Sequence, residues 1–479
     1  MAKGSAGGPC VKCYLGFALV VVIVLAATNV WNPFPNVWDW VNRSQPLSEP
    51  DVVWQQRVGG SPKSVTIAGN TVVVEQRTAV ESRSLATGIR LWERKADWSA
   101  VAGGERDPVV AIGKLLVKGY ELLDPESGAV RRRDTAAVGV WTYRNALLDV
   151  HCADARDCTL TAWDPRGNTP SWTAFLPGIG AGLFADNPSV LGSRRLTTER
   201  VDDAAGGPEL MPPLLGFPVD GRVHIVDTAT GRVVQEVEPG RNDRVVVVGG
   251  RMLRIEARGQ DGTCYFTVVA RDPATGREVW RRDGINLRTA DSAGCVQRED
   301  PQGGQNVLVG VAPDAREAVL DAYDGRLLWV GAKGGKLLAV DDRYALARAA
   351  DKKSISGYEL PIEAARWTRR ANQEGGVALT NYAAVVVDRE PDRIVALDPR
   401  TGRELANLRS SAEVFAVGPA GMVIGDGRDI GYIRFSGATT GSPGSPGPGT
   451  GPGDGPGDDS GCGGPKQEQC PPADGGKDG

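Results

Sequence analysis

Histidine is almost missing from this chain of 479 residues, in which His151 and His224 are the two examples. A metal centre built from several imidazoles is therefore excluded, and a catalytic dyad with histidine as its base finds little material. Excess charge of either sign is missing too: 55 basic residues face 59 acidic ones, for a net −4. That balance argues against a basic nucleic-acid binder and gives no sign of a trap for acidic substrates. There is no Gly-x-x-x-x-Gly-Lys-Ser/Thr loop, no His-Glu-x-x-His and no Gly-x-Ser-x-Gly elbow, so the common phosphate, zinc-protease and serine-hydrolase signatures are absent. Long amphipathic helical patterns are lacking as well. The chain has instead 63 glycines and 32 prolines, a composition for many turns.

One apolar run stands out. No charged residue occurs between Lys12 and Asp39, and from Tyr14 to Val30 the run approaches the length that spans a bilayer. Trp31, Phe34, Trp38 and Trp40 follow, as suits the headgroup zone. Lys3 and Lys12 precede the run and no acid does, which keeps the N-terminus in the cytoplasm and exports the rest. The expected layout is a cytoplasmic segment 1–13, a single-pass signal anchor 14–31, a linker 32–50, a folded region 51–436 and a tail 437–479. A cleaved secretory signal ending at Ala26 or Ala27 is the alternative, and it leads to the same compartment. The Gly/Pro/Asp-rich composition of the tail cannot bury enough apolar surface to offset chain entropy, so disorder is expected there.

The eight cysteines agree with export. Cys10 and Cys13 precede the apolar run and read as free thiols. The other six form near-neighbour pairs, Cys152 with Cys158, Cys264 with Cys295 and Cys462 with Cys470, as an oxidising compartment permits. Six cysteines allow 15 connectivities, so spacing alone does not decide the pairing.

The centre of the chain repeats itself. Leu85-Ala-Thr-Gly88 followed by Trp92 returns as Asp124 to Gly128, Asp164 to Gly167, Asp227 to Gly231, Asp272 to Gly276, Asp321 to Gly325 and Asp398 to Gly402, with a degenerate copy from Gly357 to Trp367. Each Asp follows a short aliphatic run and each Gly precedes another. That is strand, tight turn, strand: the carboxylate accepts backbone N–H groups and Gly supplies the left-handed position. Further strand-like runs lie upstream, such as Thr71–Glu75, Val109–Ile112 and Lys114–Val117. Four-stranded antiparallel sheets at this spacing predict an all-β propeller.

The copy Ala270-Arg-Asp272-Pro-Ala-Thr275-Gly276-Arg-Glu-Val-Trp280 closely resembles the repeat of pyrroloquinoline-quinone-type (PQQ-like) propellers, and the resemblance extends over about residues 52–435. It implies that the repeat tryptophans Trp92, Trp280 and Trp329, with Trp172 and Trp367 as looser versions, dock between adjacent blades. Beyond the last unit, Glu413–Val417, Gly421–Ile424 and Ile430–Phe435 are three more strands that Val52–Val58 can complete, so counting gives nine sheets. Propellers of the resembling family have eight, and eight blades are expected, with seven and nine as alternatives. Quinone dehydrogenases of this repeat family carry adjacent cysteines beside the cofactor, and no cysteines are adjacent here. No cofactor, metal or catalytic residue is therefore expected, and fold alone does not assign quinone binding.

The Arg-rich, Lys-poor composition points to a high-GC bacterium of actinobacterial kind. The expected function is a non-catalytic, membrane-anchored extracytoplasmic scaffold that binds an envelope protein or polymer. The alternatives are a quinone-dependent oxidoreductase and a sensor ectodomain that signals through a partner. The expected docking segment lies between Gly182 and Gly221, with Arg194, Arg195, Leu210, Met211, Leu214, Leu215 and Phe217 as its candidate contacts. The triplet Arg131–Arg133 reads as a solvated blade edge, and Asp426–Asp429 as a hairpin turn.

Overall fold

A computed structural model describes residues 52–180 and 206–437, apart from 154–155, 220, 242, 293, 298, 300, 363, 373–374 and 390. The expected anchor 14–31, the linker, Cys10, Cys13, Arg194, Arg195, the tail and its Cys462 and Cys470 lie outside the described residues. Among the described residues there is no helix, and so none long and apolar enough to cross a membrane.

Nine antiparallel sheets follow one another around a β-propeller, not eight. Blades 1 to 8 span residues 64–94, 98–134, 139–176, 214–237, 243–283, 307–330, 336–370 and 376–408, and blade 9 spans 413–434. Its outermost strand is Val52–Arg57, paired antiparallel to Asp429–Arg434 with Trp54 opposite Tyr432 and Arg57 opposite Asp429. The N-terminal segment thus closes the ring and removes an open edge. The blade count differs from expectation because every one of the eight repeat units, the degenerate one included, closes a blade of its own. The ninth blade needs no repeat turn, since its last two strands come from opposite ends of the folded region.

Among the described residues seven blades have four strands and blades 4 and 6 show three, and a separate two-stranded sheet pairs Asp291–Ser292 with Cys295–Val296. In blade 6 the innermost strand is replaced by two short pieces, where Asn286 bridges Val311 and Gly303 bridges Leu308. Lys114–Val117 is not a strand. Val109–Gly113 and Tyr120–Leu123 are the second and third strands of blade 2, and 114–119 is the turn between them, with Leu116 at φ 63°.

The core lies between blades. Alternate residues of each sheet point to opposite faces, so a central strand such as Val385, Val386 and Val387 is buried on both. The ring has two faces. The turn face carries the Asp–Gly turns, the turns joining first and second strands, the start of Val52–Arg57 and the end of blade 9. The hairpin face carries the turns joining second and third strands and the connections from blade to blade.

Candidate functional site

The repeat turns explain the ring before they explain any activity. Asp227 Oδ1 accepts the N–H groups of Ala229 and Thr230 and the Thr230 hydroxyl, and Asp398 does the same for Arg400 and Thr401. Asp272 accepts both donors of Thr275, which hold its carboxyl below the usual range. At Asp124, burial opposes ionisation, but Arg131 and both donors of Ser127 outweigh it and bring the carboxyl down to about 2. Asp321 accepts Tyr323 N–H at 2.7 Å.

The glycines of five turns, Gly88, Gly128, Gly231, Gly325 and Gly402, each receive a tryptophan from the preceding blade. Trp92, Trp172, Trp280 and Trp367 donate through Nε1 to Pro125 O, Thr228 O, Ala322 O and Pro399 O, at 2.9, 2.6, 3.1 and 2.9 Å. In each case the acceptor is the residue after the turn Asp. A Cβ on Gly128, Gly231, Gly325 or Gly402 would lie 2.5–2.7 Å from these rings. Trp54, not anticipated in this role, does the same from the closing strand: its Nε1 donates to Leu85 O at 2.7 Å and its ring covers Gly88.

Four blades depart from the scheme, blade 8 because it has Ala406 at the tryptophan position and blade 9 has no repeat turn to receive one. Trp329 is buried and meets no glycine turn, because the unit ahead of it is the degenerate one; it packs on Tyr358 of that blade, ring centroids 5.4 Å apart. Gln235 stands at the tryptophan position facing Gly276. At the interface of blades 2 and 3 the position is Arg132. Arg132 is thus not a solvated edge residue: it donates to Gly167 O at 3.3 Å and lies 4.1 Å over the Trp163 ring. Its neighbours Arg131 and Arg133 do face outward, paired with Asp124 and Glu121.

Around Arg132 lies a polar cluster that the sequence reading did not assemble. Asp149 is fully buried, and its Oδ2 accepts the Tyr120 hydroxyl and Trp163 Nε1, both at 2.8 Å. Its Oδ1 has no hydrogen-bond partner and lies 3.7 Å from His151 Nδ1. His151 Nε2 is 2.9 Å from Asp134 Oδ2. Burial pushes the Asp149 carboxyl up against the pull of Trp163 and Tyr120. Burial, and then Asp149, pushes the Tyr120 phenol up. Burial opposes ionisation of Asp134 as well, but the N–H groups of Ala136 and Ala137 and the His151 ring outweigh it and hold the carboxyl down. A signal for half of the cluster is in the sequence: Asp149 and His151 are two apart on Leu147–Cys152, hence on one face of the strand. Asp134 comes from the neighbouring blade, which spacing does not reveal.

Next to it, Cys152 and Cys158 face each other in strand register and form a disulfide. Cys264 and Cys295 form a second.

The expected docking segment is placed differently from the sequence reading. Leu214, Leu215 and Phe217 lie on Leu214–Val219 of blade 4, with Phe217 fully buried, so these three side chains fill the core and offer no partner surface. The run is apolar because its side chains pack between blade 4 and the blades on either side of it. Ahead of it, residues 206–211 cross the mouth of the channel on the turn face. Gly206 lies beside Thr380 of blade 8; Arg144 N–H of blade 3 donates to Glu209 O; Gln305 of blade 6 donates to Leu210 O; Met211 N–H donates to Asn145 Oδ1 at 2.8 Å. A segment this short reaches first-to-second-strand turns of three separated blades by lying over the channel. The Tyr382 hydroxyl of blade 8 donates to Glu105 of blade 2 at 2.8 Å over the same mouth.

On the hairpin face, the turn of blade 2 raises Leu115, Leu116 and Val117 into solvent, with relative exposures of 61, 106 and 60%. Lys114 and Lys118 flank them.

Residues 219–414 match the family model described as outer membrane protein assembly factor BamB. This matched stretch, residues 219–414 of the propeller, is similar to the PQQ-like repeat. Among solved structures the propeller is similar to the computationally designed protein Ika8, with 15% identity over 80% of this chain and 99% of that one, at a TM-score of 0.39. It is similar to BamB from Moraxella catarrhalis, with 13% identity over 80 and 99% of the two chains and a TM-score of 0.36. A quinohemoprotein alcohol dehydrogenase from Pseudomonas putida aligns with 10% identity over 83 and 78%, at a TM-score of 0.36. No curated protein matches the chain. The chain's own residues 206–211 and the Glu105–Tyr382 bond lie over one mouth of the channel, and Cys152, Cys158, Cys264 and Cys295 are tied in two separate disulfides.

Proposed function

We propose that this PQQ-like propeller is a non-catalytic, membrane-anchored extracytoplasmic scaffold that docks an envelope protein on its hairpin face. The observation that carries the reading is the solvent-raised tip Leu115-Leu116-Val117, where Leu116 keeps a left-handed backbone at φ 63° and full exposure. Apolar side chains held out in this way gain free energy when a partner covers them. The tip lies on the face opposite the covered channel mouth. Val52 starts its strand on the turn face, beside Ile433, and Gly437 lies next to Arg403 on that face. An anchor ahead of residue 52 then tethers the turn face and leaves the hairpin face free for a partner. The family model's description, an outer membrane protein assembly factor, supports a docking role. The covered channel mouth argues against the oxidoreductase alternative.

The test is site-specific photo-crosslinking in cells, with the crosslinker at position 116 or, on the turn face, at the exposed Tyr323. A discrete protein adduct from 116 and none from 323 is expected. Adducts from 323 with none from 116 would reverse the orientation, and none from either would remove the docking reading.

A further inference from the structure

The interface of blades 2 and 3 has no tryptophan strap, and its polar cluster is incomplete. Asp149 is fully buried, yet its Oδ1 has no partner, while Tyr120 and Trp163 fix the other oxygen. An unpaired buried carboxylate oxygen is unfavourable. The 3.7 Å from Oδ1 to His151 Nδ1 is beyond hydrogen-bond reach, so the two face each other without a bond. Asp134 stands on the far side of the ring, and one ligand atom from each of Asp134, Asp149 and His151 lies within 4.8 Å of the other two.

We infer that Asp134, Asp149 and His151 form a binding site for one divalent cation of the zinc type, which staples blade 2 to blade 3. The donor set is one imidazole and two carboxylates. Imidazole suits zinc and its transition-metal neighbours and is a poor ligand for calcium or magnesium. Three protein ligands leave a position for water, and His151 and Asp134 are part-exposed, so the ion has a route in from the hairpin face. Tyr120 and Trp163 orient Asp149 from behind, as second-layer donors do at metal sites. The neighbouring Cys152 and Cys158 are tied to each other and supply no thiolate.

The experiment is a Zn²⁺ titration of the full-length chain in detergent, with Cys10, Cys13, Cys462 and Cys470 replaced by serine so that no thiol outside the ring competes. Binding is read by calorimetry and by bound metal after dialysis. The expected result is one Zn²⁺ per chain, not displaced by excess Ca²⁺, with a rise in thermal midpoint. H151Q and D134N each abolish it, and Tyr120→Phe, which keeps both ligand oxygens, weakens it about tenfold. Thermal unfolding without metal establishes that each variant is folded. Absence of stoichiometric binding in the parent, or binding unchanged in both H151Q and D134N, would overturn the site.

Discussion

At the scale of single residues, the repeat works because two residue types meet across a blade interface. The turn glycine provides a left-handed backbone, and its missing Cβ leaves room for the tryptophan ahead of it. Gly402 has φ +70° and would put a Cβ 2.5 Å from Trp367, whereas Gly427 has φ +61° and nothing within 4 Å. Gly402→Ala is expected to lose more than about 1 kcal/mol, and clearly more than Gly427→Ala, in urea unfolding. Equal losses would mean that the ring contact carries nothing. Trp280→Ala empties a buried site that Ala322 and Gly325 line and is expected to lose about 3–5 kcal/mol by the same assay. Asp124 carries a pH dependence. Its carboxyl is held at about 2 against an ordinary 3.8, so it stabilises the fold above that ordinary value and loses the contribution as pH falls through about 2. The gap between the unfolding midpoints of the parent and Asp124→Asn should therefore narrow between pH 5 and pH 2. A gap that stays constant would detach the carboxylate charge from stability.

At the scale of elements, the strands and turns were legible because the period-2 aliphatic runs and the Asp–Gly turns each have a local cause. What escaped was decided at a distance. Blade 9 has no repeat turn, since its closing strand Val52–Arg57 comes from the other end of the folded region. Counting units and strands along the sequence gives nine sheets closed by this strand; it is the likeness to eight-bladed relatives that lowers the expectation to eight. Lys114–Val117 is as aliphatic as a strand, yet pairing of Val109–Gly113 with Tyr120–Leu123 leaves it as the connecting turn. Leu214–Phe217 has the composition of a sticky loop and the position of a core strand. The tryptophan pattern was visible in Trp92 and Trp280, but Trp54 is separated from its partner turn by the closure itself. For the polar cluster, half lay in one strand and half in the next blade. Deleting residues 52–58 should expose Asp429–Arg434 as an open edge, and light scattering should show self-association of the shortened chain. A monodisperse, fully folded monomer would show that the closing strand is dispensable.

At the scale of the whole molecule, the ring separates its two faces. The turn face holds the covered mouth and the start of the closing strand; the hairpin face holds the apolar tip, the Cys152–Cys158 disulfide and the Asp134–Asp149–His151 cluster. The proposed topology predicts that a reporter fused after residue 440 is active outside the cytoplasm, and activity inside would remove the anchor reading. The central claim is that this ring binds by its surface and does no quinone chemistry in its channel. The measurement that tests it most directly is thermal unfolding of the full-length chain titrated with pyrroloquinoline quinone and Ca²⁺. A ligand at a hundredfold excess over its Kd stabilises by roughly 2.7 kcal/mol, which such a scan resolves readily. The account predicts no saturable shift with quinone. A saturable, quinone-dependent rise in midpoint would contradict it and make the channel the site.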